Sequence, residues 1–112
     1  MDEHKPVLVE EALIGLGLGA DATPDGRDGL YVDATFGRGG HSARILQALG
    51  PDGRLLAIDR DPQAVDAARR RFAADPRFTI VHAAFGALQP LVKEHGGGRP
   101  VRGILFDLGV SS

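Results

Sequence analysis

A chain of 112 residues with a formal net charge of -2 and 43% hydrophobic residues is long enough for one small globular domain. It contains no cysteine, which excludes disulfide bonds, thiolate nucleophiles and cysteine-ligated zinc, and no metal site is predicted. No apolar stretch approaches the roughly 18 residues of a membrane span. The start "MDEHKPVLVEEAL" has no signal-peptide core, so we expect a cytoplasmic protein without a membrane partner. The basic run Arg69 to Arg71 is interpreted as a solvated helix face.

Four short apolar runs recur along the chain at near-regular spacing. They begin at Leu30 ("LYVDA"), Arg54 ("RLLAID"), Phe78 ("FTIVHA") and Gly103 ("GILFDLGV"). Each run is nearly continuous in Val, Ile, Leu and Phe, which is typical of strands that are covered on both faces. Helix-like segments separate the runs. The rhythm therefore predicts an α/β protein with a doubly wound, Rossmann-like parallel sheet, whose ligands bind outside the carboxyl ends of the strands.

One leading helix and three crossover helices are predicted between these runs. The stretch "PVLVEEALIGL" precedes the first strand and is expected to pack on the sheet edge or over a ligand mouth. The first crossover helix runs from His41 to Leu49, with Gly50 placed for a left-handed C-cap. The second begins with Asp61 as N-cap and Pro62 as first helical residue. The third runs from Phe85 to Val92.

The stretch "VDATFGRGGHS", residues 32–42, places three glycines between the first strand and a helix. Such a loop lets a ligand approach the backbone closely, and the helix N terminus favours anionic or acceptor groups. A P-loop would end in Gly-Lys-Ser or Gly-Lys-Thr, whereas this loop ends in Gly-Gly-His. The dinucleotide fingerprint Gly-x-Gly-x-x-Gly, counted from Gly37, needs a glycine where Ser42 stands. One half of a nicotinamide-dependent oxidoreductase is thus disfavoured but stays open as an alternative.

Two acidic residues end the first two predicted strands. Asp33, four residues before Gly37, would repel a pyrophosphate but suits a cation, such as the amino group of a methionine-type ligand. The pattern D-x-x-x-G-x-G is that of loops in S-adenosylmethionine (SAM) methyltransferases. Asp59 ends the second strand, where a carboxylate can accept both hydroxyls of a ribose. Taken alone, Asp59 indicates an adenosine-type ligand without deciding between a methyl donor and a nicotinamide cofactor.

Five stretches together are more specific than any of these patterns. They are "HKPVLVEEAL", "DATFGRGGHS", "LLAIDRDPQA", "DPRF" and "FDLGVSS". In this order and at these distances they resemble the amino-terminal portion of the RsmH family, also called MraW, from His4 to Ser112. The resemblance implies a class I SAM-dependent methyltransferase. Its implied target is the exocyclic N4 of cytosine 1402 in bacterial 16S rRNA, with the small ribosomal subunit as partner.

The resemblance also implies a SAM site. The residues that match it are Gly39, Gly40 and His41 in the loop, Asp59 for the ribose, Phe85 on the adenine side, and Asp107 at the end of the fourth strand. Structural roles stay open beside these: a backbone contact for His41, a core position for Phe85, and a helix-capping role for Asp107. No catalytic residue is identified, because methyl transfer from a sulfonium needs no nucleophile from the protein.

The chain departs from the family by stopping at "DLGVSS". Family members continue with a Pro-Gln-Leu-Asp stretch, an inserted helical domain and further strands. We therefore expect residues 1–112 to form the first part of a methyltransferase domain, with strand order 3-2-1-4 and the fourth strand as an apolar, uncovered edge. Such a chain is expected to be marginally stable, to bind SAM weakly and to be inactive alone. A non-catalytic SAM-binding or scaffold module is the alternative from another functional class.

Overall fold

The computed structural model describes residues 13–20, 22–34, 39–106 and 109–111, with the side chains of Phe85 and of residues beyond 105 outside the description. The helices are α1 (Pro24–Arg27), α2 (Gly40–Ala48), α3 (Pro62–Arg71) and α4 (Leu88–His95), and a 3-10 turn (Phe85–Ala87) precedes α4. The strands are β1 (Leu30–Asp33), β2 (Arg54–Asp59), β3 (Phe78–His82), β4 (Val101–Phe106) and β5 (Gly109–Ser111). Residues 13–15 are also helical, whereas most of the predicted leading helix lies outside the described residues.

The strands form one sheet in the order β3-β2-β1-β4-β5. β1 pairs in parallel with both β2 and β4, and β2 pairs in parallel with β3. The predicted parallel order 3-2-1-4 is therefore confirmed. The crossovers change direction at β1, since the chain moves outward to β2 and β3 and then returns to the other side of β1 as β4. This reversal creates the crevice in which open α/β sheets bind their ligands.

The predicted uncovered edge at the fourth strand is wrong. The run that begins at Gly103 splits in two, and β5 pairs antiparallel with the last three residues of β4, Ile104 to Phe106. Two residues separate β4 from β5. A connection this short permits only antiparallel pairing, because a parallel return needs a crossover of a dozen or more residues. The backbone groups along half of β4 thus have partners.

Both faces of the sheet are covered, as the continuous apolar runs predict. On one face, buried residues of β1, β2 and β4 pack with α2 in a set that includes Tyr31, Leu55, Leu105, Ile45, Leu46 and Leu49. On the same face, α3 covers Ala57 and Ile80 through Val65 and Ala68. On the opposite face, Leu30, Val32, Leu56 and Ile58 pack with Leu88 of α4. Burial of each such aliphatic side chain contributes about 1.5–3 kcal/mol.

The second crossover helix begins at the predicted residue, whereas the first begins one residue before the predicted His41 and the third becomes α-helical only at Leu88. Asp61 caps α3 by accepting a hydrogen bond from the backbone amide of Gln63 at 2.9 Å, and Pro62 is the first helical residue. The third crossover begins with the 3-10 turn, and α4 continues to His95, beyond the predicted end.

Gly50 is not a left-handed C-cap, because α2 ends at an extended Leu49 and Gly50 has no positive φ. A side chain at this position would crowd the end of the Asp28 side chain. A Cβ on Gly50 would lie 2.5 Å from the Asp28 Oδ1 atom, and the Gly50 amide donates to the Arg27 carbonyl oxygen at 2.7 Å.

Candidate functional site

The candidate site lies at the carboxyl edge of the parallel sheet. Asp33 is the last residue of β1, Asp59 is the last residue of β2, and α2 begins at Gly40. Because β1 and β2 are parallel neighbours, their final residues lie at the same edge of the sheet. The fold therefore brings the two predicted acids and the start of the predicted loop helix to the side where this class of sheet binds ligands.

The first turn of α2 has the geometry of an acceptor-binding helix start. Gly39 is the N-cap residue and is buried, with φ 85° and ψ 8°, a left-handed conformation that favours glycine. The Ala43 amide donates to the Gly39 carbonyl oxygen at 2.9 Å, so in helix geometry the amides before Ala43 have no intrahelical acceptor. A Cβ placed on Gly40 would meet no heavy atom of the described residues within 4 Å. Space beside the backbone at Gly40 is therefore open, and His41 next to it is half-buried.

Asp33 and Ser42 are joined by a buried hydrogen bond. The Ser42 hydroxyl donates to the Asp33 Oδ2 atom at 2.6 Å, and both residues are 0% exposed. The sequence singled out each residue separately, Asp33 as a candidate cation ligand and Ser42 as the residue that breaks the dinucleotide fingerprint. It did not predict that they pair. The signal was present, since a hydroxyl stands where a dinucleotide loop needs a glycine and an acid ends the preceding strand.

Asp59 is half-buried and is oriented by the backbone that follows it. Its Oδ1 atom accepts a hydrogen bond from the Asp61 amide at 2.9 Å. The N-cap of α3 is Asp61 itself, so the Asp59 carboxylate stabilises the turn between β2 and α3. A carboxylate has about four acceptor positions, and that of Asp59 makes at least one interaction besides this amide. Its proposed contact with a ribose is compatible with this turn.

Of two predicted site residues, the structure describes only the backbone of Phe85 and nothing of Asp107. The backbone of Phe85 opens the 3-10 turn after β3, while its side chain is outside the description. Asp107 follows β4 in sequence and lies outside the described residues. Gly37 of the glycine loop also lies outside them. The cofactor contacts of Phe85 and Asp107 therefore stay predictions.

The far end of α2 is anchored by two arginines. The Arg27 guanidinium donates to the Ala48 carbonyl oxygen at 2.8 Å, and the Arg77 guanidinium donates to the Leu49 carbonyl oxygen at 3.0 Å. Arg77 also makes two side-chain hydrogen bonds to Asp75, at 2.9 and 2.7 Å. These hydrogen bonds lower the pKa of the Asp75 carboxyl below its usual value. Both arginines place positive charge at the negative end of the helix dipole, which fixes the helix whose first turn belongs to the site.

Two kinds of site are absent from the part of the chain that the structure describes. In residues 13–20, 22–34, 39–106 and 109–111, no three His, Asp or Glu side chains cluster as a metal ion would require. Within the same ranges, no helix combines the length and the apolar character needed to cross a membrane.

Comparison with known proteins identifies the family. A sequence profile described as the MraW methylase family matches residues 1–112. The chain belongs to the MraW methylase family. The predicted resemblance is thereby confirmed over the whole chain.

Similar proteins and a similar solved structure agree with this membership. Ribosomal RNA small subunit methyltransferase H of Coxiella burnetii is 52% identical over 112 residues, which are all of this chain and 34% of that protein. The protein of the same name from Shewanella denitrificans is 53% identical over 109 residues, which are 97% of this chain and 32% of that protein. This MraW-family chain thus spans about a third of the length of these curated relatives.

Among solved structures, an rRNA methylase from Streptococcus thermophilus superposes with a TM-score of 0.61 at 19% sequence identity. The superposition covers 95% of this chain and 56% of that one. At this identity the similarity shows a shared fold. The predicted Rossmann-like methyltransferase fold is therefore confirmed.

Proposed function

We propose that this chain is the SAM-binding portion of an rRNA methyltransferase that modifies the exocyclic N4 of cytosine 1402 in 16S rRNA of the small ribosomal subunit. The observation that carries the proposal is the location of two strand-end carboxylates, Asp33 and Asp59, at the sheet edge where α2 begins. Membership of a methylase family and the names of the relatives support the reaction and the rRNA substrate.

The residues at this edge fit SAM. The Asp33 carboxylate has no exposed surface, so it would act on the ammonium group of the methionine half as a buried charge at the end of β1, where opposite charges attract strongly because water is excluded. The carboxylate of Asp59 suits the ribose hydroxyls as a hydrogen-bond acceptor. The open space beside Gly40 and the amides of the first turn of α2 suit the close approach of polar ligand atoms. A pyrophosphate beside Asp33 would be repelled, so the nicotinamide alternative stays disfavoured.

Methyl transfer from SAM requires the protein mainly to position the donor and the acceptor. SAM, when bound, supplies an electrophilic methyl group on a sulfonium. The protein's task is to hold donor and acceptor in line at near-attack distance and to exclude water. The cytosine amino nitrogen is a weak nucleophile, because its lone pair is delocalised into the ring. The base must also be unstacked or single-stranded to reach the pocket. Phe85 and Asp107 are proposed to complete this pocket on the adenine and acceptor sides.

Calorimetric titration of the 112-residue chain with SAM and S-adenosylhomocysteine tests the cofactor half of the proposal. The informative variant is Asp59→Asn, because Asn keeps an Oδ1 atom for the Asp61 amide while it removes the charge and replaces the second acceptor oxygen with an NH2 donor. Hydrogen bonds to a charged group contribute about 1.5–3 kcal/mol, so we expect roughly 10- to 150-fold weaker binding. Asp66→Asn is the matched control, since it removes the same charge from an exposed position of α3.

Equal affinities of the two variants would contradict the proposed role of Asp59, and binding of a nicotinamide dinucleotide in place of SAM would favour the oxidoreductase alternative. Transfer of a labelled methyl group to unmodified small ribosomal subunits tests the rRNA half. We propose that the full-length relatives methylate these subunits and that the 112-residue chain alone does not. SAM binding without any methylation by either protein would favour the non-catalytic alternative.

A further inference from the structure

The buried hydrogen bond between Ser42 and Asp33 connects two elements that the glycine loop separates in sequence. Asp33 ends β1, and Ser42 lies in the first turn of α2, nine residues later. The 2.6 Å distance is that of a hydroxyl donating to an ionised carboxylate. A carboxylate with no exposed surface is costly unless hydrogen bonds stabilise its charge. Ser42 therefore supplies one of the donors that let a negative charge persist at this place.

The hydrogen bond also determines how the charge is presented. With its Oδ2 atom held by Ser42, the Asp33 carboxylate has a fixed orientation relative to the first turn of α2. A charge fixed in advance binds a cation with less loss of conformational entropy than a mobile one. The same geometry disfavours a dinucleotide, whose loop uses a glycine at this position to bring helix and strand together around a pyrophosphate.

We propose that Ser42 is a positioning residue, which orients the Asp33 carboxylate and thereby makes the site selective for adenosine ligands that carry an amino acid group. The inference rests on the proposed function, because it assigns Asp33 to the ammonium end of the methyl donor. Ser42 acts through Asp33, so its effect is confined to ligands that have a positive group at that end.

A pair of ligands that differ only at this end tests the inference. S-adenosylhomocysteine carries the amino acid group, whereas 5′-methylthioadenosine has the same adenosine thioether without it. We expect Ser42→Ala to weaken S-adenosylhomocysteine binding about 10-fold in calorimetric titration and to leave methylthioadenosine binding unchanged. Ser42→Thr retains the hydroxyl and is expected to restore most of the difference between the two ligands. The inference would be overturned if Ser42→Ala lowered the affinity for both ligands equally, or if it lowered the affinity for neither.

A second variant covers the case in which Ser42→Ala does not fold. Asp33→Asn keeps an acceptor for the Ser42 hydroxyl and removes the charge, so it is expected to reproduce the ligand-specific loss. Where Ser42→Ala does fold, the two losses should not add in the double variant, because both act on one carboxylate. If the wild-type chain binds neither ligand, the proposed function fails. If it binds both ligands and Asp33→Asn distinguishes them but Ser42→Ala does not, only the role of Ser42 fails.

Discussion

Replacing Gly40 with alanine is expected to affect the free energy of unfolding and the affinity for the ligand in opposite directions. Gly40 is the first residue of α2, is exposed and has no positive φ, and among the described residues an added Cβ meets no heavy atom within 4 Å. Alanine is favoured over glycine in a helix by up to about 1 kcal/mol. The free energy of unfolding of the Gly40→Ala variant, measured in urea, should therefore equal or exceed that of the wild-type chain.

A ligand seated against the first turn of α2 would respond differently. It would meet the new methyl group, and overfilling a close-packed contact costs about 1–3 kcal/mol. The dissociation constant for S-adenosylhomocysteine should therefore rise roughly 5- to 150-fold in calorimetric titration. Wild-type affinity in a stable Gly40→Ala variant would refute the reasoning, because it would mean that no ligand atom approaches the backbone there.

Gly39 and Gly97 provide the matched comparison for backbone strain. Both have positive φ, 85° and 64°, and Gly97 lies between α4 and β4, away from the candidate site. Alanine in a left-handed conformation costs about 1–2 kcal/mol, so both variants should destabilise the chain, Gly39→Ala by more because Gly39 is buried and Gly97 is exposed. Only Gly39→Ala should also change the affinity for the ligand. Equal ligand affinities in the two variants would contradict the assignment of Gly39 to the site.

The remaining predictions concern the framework that holds the site. Arg77→Ala should lower the free energy of unfolding by about 2–4 kcal/mol, because it removes the hydrogen bonds to Asp75 and to the Leu49 carbonyl at the end of α2. Urea unfolding measures this change. A decrease smaller than the experimental error would contradict the prediction. The hydrogen bonds from Arg77 lower the pKa of Asp75, so the associated stability is present above the unfolded pKa, near 3.8, and is lost as the pH falls through the lower folded value. Asp75→Asn should flatten that acid limb of the stability profile. Tyr31→Phe should cost about 1 kcal/mol, because the buried Tyr31 hydroxyl donates to the Gly26 carbonyl at 2.8 Å. Burial raises the pKa of Tyr31, the single tyrosine, above 10.0. Its absorbance titration should therefore begin at a higher pH in the folded chain than in the unfolded chain. The associated stability is lost as the pH rises through the folded pKa.

The sequence by itself determined the features that depend on neighbours along the chain. The continuous apolar runs predicted three strands closely, and Asp61 with Pro62 predicted the start of α3. A helix cap or a buried strand is recognisable locally, because its hydrogen bonds and its periodicity involve residues a few positions apart. The five family motifs likewise stand in the sequence, and the family profile confirms the membership that they predict.

Only the tertiary structure decided the features that depend on residues distant in sequence. The return of the chain as β5 covers part of the β4 edge, the Asp28 side chain lies close to Gly50, and Ser42 donates to Asp33. Each depends on how the sheet and its helices pack, and no residue type alone specifies such a contact. The sequence therefore determined which groups the candidate site contains, and the packing of α2 against β1 decided how those groups are oriented.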